Sequence, residues 1–79
     1  MPASEPNLFT QALCELIADT NGVYHLEILA LFIKRIPISQ DHDIIAEAWK
    51  ARLALGPSLD DKDFGVLPAL EKKKAETTV

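Results

Sequence analysis

The sequence predicts an all-α fold, a small antiparallel bundle of three helices closed by a short C-terminal helical strap. Three observations carry that expectation. Apolar residues recur at the helical period in three successive segments. Strong stops separate the segments, at Asn21-Gly22, at Pro37 and at Gly56-Pro57. No stretch alternates polar and apolar residues well enough for a strand. The 79 residues make one helical domain, 1–79, with 1–5 a flexible leader and 72–79 a flexible tail.

The first helix is expected over roughly residues 6 to 20. Pro6 suits a first turn, where its missing N–H costs nothing. Leu8, Phe9, Ala12, Leu13, Leu16 and Ile17 recur at helical spacing, with Gln11, Glu15 and Asp19 on the other side. Asn21 and Gly22 both tolerate a left-handed backbone and end the helix.

The second helix, roughly 23 to 36, is the most apolar. Ten of its fourteen residues are apolar, and its four polar residues share no single broad face. Its apolar arc exceeds the ~100° stripe that a surface helix needs. Such a helix demands cover on more than one side. On a wheel of 3.6 residues per turn, His25, Leu29, Phe32 and Ile36 fall together as the expected core side. Tyr24, Leu31 and Arg35 fall toward Glu27 and Lys34, with Ile28 at the border. Lys34 and Arg35 complement the negative end of the helix dipole, and Pro37 stops the helix.

Ser39 or Asp41 caps the third helix, with Asp41 and Asp43 near its positive end. Ile44, Ile45, Ala48, Trp49, Arg52 and Leu53 keep the period, while Glu47, Lys50 and Arg52 are mostly outward. Beyond Pro57 the pattern weakens. Ser58 caps a short turn through Asp60, Asp61 and Lys62. Phe64, Val66, Leu67 and Leu70 form the strap, with Pro68 opening a last short helix. Lys72-Lys73-Lys74 through Val79 reads as a solvated tail.

Composition excludes several functions. The single cysteine, Cys14, allows no internal disulfide and no four-thiolate zinc site. The net charge is −4, and residues 1–33 hold four acids and no lysine or arginine. A phosphate-binding surface needs clustered cations, so nucleic acid is a poor partner. The N-terminus has no basic region followed by an apolar run, and Glu27 interrupts the longest apolar stretch. Neither a secretory signal nor a membrane span is expected, which places the chain in the cytoplasm.

Candidate chemistry is sparse. His25, His42, Asp41 and Asp43 are potential metal ligands, but their spacing matches no ligand motif. Cys14 lies mid-helix with no neighbouring base, which fits a packing residue better than a nucleophile. Asp60, Asp61 and Asp63 read as a solvated acidic loop. The three glycines stand alone, and no cofactor motif is present. No catalytic, cofactor or metal residue is therefore expected, and the chain is read as not an enzyme.

A helix-turn-helix DNA binder is one alternative, since a short turn joins the second and third helices. Asp41 and Asp43 at the start of the would-be recognition helix argue against it, and Lys50 and Arg52 argue for it. The last four residues, Glu76-Thr77-Thr78-Val79, resemble the class I ligand of PDZ domains. That resemblance implies an adaptor whose tail, through Thr77 and Val79, adds a strand to a sheet edge. The favoured expectation is a non-enzymatic accessory or regulatory protein that acts through protein–protein contact. Its surface is assigned to Tyr24, Ile28, Leu31 and Trp49, with Arg35 at the rim. The partner is a second copy, giving a homodimer, or a different protein in a hetero-complex.

Overall fold

The computed structural model describes residues 7–38, 40–55 and 59–77, with the side chain of Thr77 left out. Among them are four α-helices and one 3-10 turn, and no strand. The helices are α1 (Leu8–Asp19), α2 (Val23–Arg35), α3 (His42–Ala54) and α4 (Val66–Thr77). The turn, Asp61–Asp63, precedes α4. The all-α bundle expected from the sequence is the fold observed. α3 packs against α1 and α4, and α2 packs against α4.

Asn7 starts α1, and its side chain accepts a hydrogen bond from Thr10 N at 2.7 Å. Asparagine is among the strongest N-caps, which places the helix start one residue beyond Pro6. Pro6 itself lies outside the described residues. Of the expected apolar face, Leu13 and Ile17 are buried, whereas Leu8, Phe9, Ala12 and Leu16 are exposed. Thr10 is buried as well, and its hydroxyl donates to Asp41 Oδ2 at 2.9 Å. Gly22, at φ 91°, makes the turn into α2 in a backbone region that glycine enters without steric cost.

Arg35 ends α2, and Ile36 is extended at ψ 147°, as a residue before proline prefers. The core side of α2 differs from the expected one. Leu26, Leu29, Ala30 and Ile33 are buried, while His25 and Phe32 are exposed and Ile36 is half-buried. With apolar residues almost all round, the wheel offers several apolar sides. The neighbours, not the wheel, select which one is buried.

Asp41 does not cap α3 with its side chain. It adopts the left-handed backbone, at φ 62°, and turns its carboxylate to Thr10. Ser39 lies outside the described residues. Arg52, expected outward, is buried, and its Nε donates to Thr20 O at 2.6 Å. A cation at the carbonyl end of α1 complements that helix's dipole.

The strap is a full helix. α4 runs through Lys72–Lys74 to Thr77, where the sequence reads as a tail. Lys73 Nζ donates to Ile36 O at 2.9 Å, and Lys74 Nζ pairs with the Asp43 carboxylate at 3.0 Å. Pro68 is the third residue of this helix, within the first turn, where no intrahelical N–H is needed. Phe64, Val66 and Leu70 are buried, and Leu67 packs at their edge.

Asp61 organises the entry to α4. Its Oδ1 accepts from Val66 N at 3.1 Å and its Oδ2 from Leu67 N at 3.0 Å, so it covers two of the helix's free N–H groups. Oδ1 also accepts from Trp49 Nε1 at 2.7 Å. Trp49 meets Phe64 edge to face, with centroids 5.5 Å apart and planes at 85°. The expected cap Ser58 lies outside the described residues. Asp60 caps the short turn, accepting from Lys62 N at 3.1 Å.

Candidate contact surface

α2 carries two apolar stripes on opposite sides. Leu26, Leu29, Ala30 and Ile33 form the inner one, packed in the core. The outer one is Tyr24, Ile28, Leu31 and Arg35, at i, i+4, i+7 and i+11. Residues at that spacing align along one side of a helix. Tyr24 is 80 % exposed, Ile28 64 % and Leu31 47 %, and Arg35 is exposed at the C-terminal end. Four of the five residues assigned to a contact surface thus share one exposed stripe. The fifth does not join them. Trp49 is 0 % exposed, with its indole N–H held by Asp61. It is a core residue, and no partner can reach it in the folded chain.

The flanks of the stripe differ. On one flank a groove of ≈ 310 Å³ runs between α1 and α2, lined by Leu16, Thr20, His25, Ile28, Leu29 and Phe32. Phe32, expected in the core, is 46 % exposed in it. On the other flank Glu27, Leu31 and Lys34 border a second hollow with Asp63 and Phe64. Lys34 is tied down there, since its Nζ donates to Phe64 O at 2.6 Å. α1 extends the apolar ground through Leu16, and Leu8 and Phe9 are exposed on the same helix. All three belong to the apolar face expected of α1. Their spacing, Phe9 to Leu16 at i, i+7, also fits an exposed stripe, which periodicity alone does not distinguish from a buried one.

The other candidates are occupied in structural work. His25 Nδ1 donates to Asn21 O at 2.9 Å, and the buried His42 donates Nε2 to Ile38 O at 3.0 Å. Among the described residues no three His, Cys, Asp or Glu side chains are grouped to hold a metal ion. Cys14 is half-buried. Burial, and then the Asp41 charge, push its thiol above the ordinary value, the reverse of what activates a nucleophile. At the start of α3, Asp43 is paired with Lys74 and Asp41 is bonded to Thr10. Of the two cations on that helix, Arg52 is buried and Lys50 lies 3.3 Å from Glu47. Thr77 is the last residue of α4, and Val79 lies outside the described residues. Among the described residues no helix is long and apolar enough to cross a membrane.

No protein-family model, curated protein or solved structure matches this chain.

Proposed function

We propose that this chain is a non-enzymatic accessory or regulatory protein of the cytoplasm that works by protein–protein contact through the outer side of α2. The observation that carries the reading is the exposed stripe of Tyr24, Ile28 and Leu31, flanked by Phe32 and backed by Leu16. Single exposed apolar residues are ordinary on a protein surface, but a contiguous row of them marks a contact site. The stripe also has the make-up of an interface, with an aromatic residue at one end, aliphatic residues in the middle and arginine at the other end. Nothing comparable supports a reaction. Burial pushes the one thiol above its ordinary value, and both histidines are committed to backbone carbonyls.

The deciding substitution is Leu31→Glu. In a contact surface it leaves the circular-dichroism helix signal close to that of the parent chain, and it abolishes association. If Leu31→Glu melts the fold as thoroughly as a truncation of Trp49, Leu31 belongs to the core and the contact reading is lost.

A further inference from the structure

We propose that the occupant of the outer α2 stripe is a second copy of this chain, with the two α2 helices antiparallel about a two-fold axis that passes midway between Leu29 and Ala30. The pairing rests on the outer stripe being a contact surface, and it adds the partner and the register.

The outer stripe is self-complementary. A two-fold interface pairs each residue i with residue j of the other copy, and j with i. The stripe satisfies this with its own four members. An axis centred between Leu29 and Ala30 sets Ile28 opposite Leu31 of the second copy, and the same axis sets Tyr24 opposite Arg35. The apolar residues meet at the centre, and an arginine meets an aromatic ring at each end. Guanidinium on a phenol face is a favourable contact. Parallel pairing of the same stripe would set Arg35 against Arg35 and repel.

The flanks follow the same rule. A two-fold axis perpendicular to the helices turns each flank onto the same flank of the other copy. On the Lys34 flank, Glu27 comes beside Lys34, opposite in charge, and does so twice. Lys34 is positioned for this, because its bond to Phe64 O uses one of three ammonium donors. On the other flank, His25 comes beside Phe32, closing the groove that Leu16 lines. α2 has its acid in the N-terminal half and both cations in the last turn. That polarity is satisfied only when the helices run in opposite directions.

The test combines solution mass with directed cross-linking. Light scattering at micromolar concentration should give about twice the 8.7 kDa chain mass. In a Cys14→Ser background, the Ile28→Cys chain is mixed with a tagged Leu31→Cys chain and oxidised. The mixed disulfide should exceed either like-with-like disulfide at least tenfold. Tyr24 offers a second measurement that does not depend on disulfide geometry. Tyr24→Glu should hold the dimer within about threefold of the parent Kd, because the new carboxylate faces Arg35. Tyr24→Arg should weaken it at least tenfold. A dimer with predominant like-with-like disulfides, weakened by both Tyr24 variants, overturns the antiparallel register and leaves the contact surface standing. A monomeric parent chain overturns the second copy as occupant and leaves the surface for a different protein. A dimer indifferent to Leu31→Glu overturns the pairing and the contact surface together.

Discussion

α2 and α3 make opposite use of their sequences. α2 has ten apolar residues in the stretch from Val23 to Ile36, yet Tyr24, Ile28, Leu31 and Phe32 stand in solvent. α3 is rich in alanine and charge, yet it packs against both α1 and α4 and buries Ile45, Trp49, Leu53, His42 and Arg52. A helix is therefore not buried in proportion to its apolar content. α3 is buried because its polar groups are satisfied. The indole N–H reaches Asp61, the guanidinium reaches Thr20 O and the imidazole reaches Ile38 O. Among the described residues no buried side-chain nitrogen or oxygen lacks a hydrogen-bond partner. α2 is exposed because, among the described residues, nothing covers its second stripe.

The largest expected effect breaks the comparison at its centre. Trp49→Ala removes a fully buried ring, the edge-to-face contact with Phe64 and the donor to Asp61. Truncating a buried aromatic costs about 3–5 kcal/mol. That is most of the stability of a domain this small, so the chain should be largely unfolded at 25 °C by circular dichroism. Phe32→Ala should cost only about 1 kcal/mol, because a side chain about half in water forfeits a fraction of that burial. Equal losses in urea titrations would mean that the two faces of α2 and the α3 core do not differ as described.

Asp61 gives the next effect. Asp61→Ala strips two N–H partners from the start of α4 and orphans the Trp49 indole. Loss of a helix cap together with an unsatisfied buried donor should cost roughly 2–4 kcal/mol. Amide exchange at Val66 and Leu67 should quicken first. Asp61→Asn keeps the Oδ1 acceptor, which serves Trp49 and Val66, and should cost clearly less. A cost for Asp61→Asn as large as for alanine would assign Asp61 a role in charge rather than in hydrogen-bond geometry.

What the sequence made legible follows the same division. The stops at Gly22 and Pro37 were readable because a positive φ and a pre-proline residue are local constraints. The outer stripe was readable too, since Tyr24, Leu31 and Arg35 lie toward the only charged side of α2. The inner stripe was not. A helix apolar almost all round has no unique inward side, and His25 and Phe32 were as plausible on the wheel as Leu26 and Ile33. The roles of Arg52, Lys73 and Lys74 were hidden for another reason. Each bonds to a residue more than 30 positions away, so nothing nearby in sequence marks it as a fastener rather than a solvated charge. Asp61 looked like part of an acidic loop because its partners assemble only when Gly65, at φ 71°, turns the chain into α4.

The smallest effect concerns α1, which stands between the two helices in character, with Leu13 and Ile17 buried and Leu8 and Leu16 exposed. Cys14 lies at that boundary and reports on it. Its thiol is raised above the ordinary value, first by burial and then by the Asp41 charge. The rate of reaction with a soluble disulfide should therefore rise with pH along a curve displaced to higher pH than that of the urea-unfolded chain, because only the thiolate reacts. The sign for stability follows from linkage. The folded chain holds this proton more tightly than the unfolded chain. The contribution is complete below the unfolded value and is lost as pH rises through the folded one, so it shows only at alkaline pH. Cys14→Ala should remove that alkaline slope and leave the neutral region unchanged. Asp41→Asn should move the reactivity curve only part of the way back, since burial is the larger cause. A full return with Asp41→Asn would mean that Cys14 is open to water, and that α1 resembles the outer face of α2 more than the core of α3.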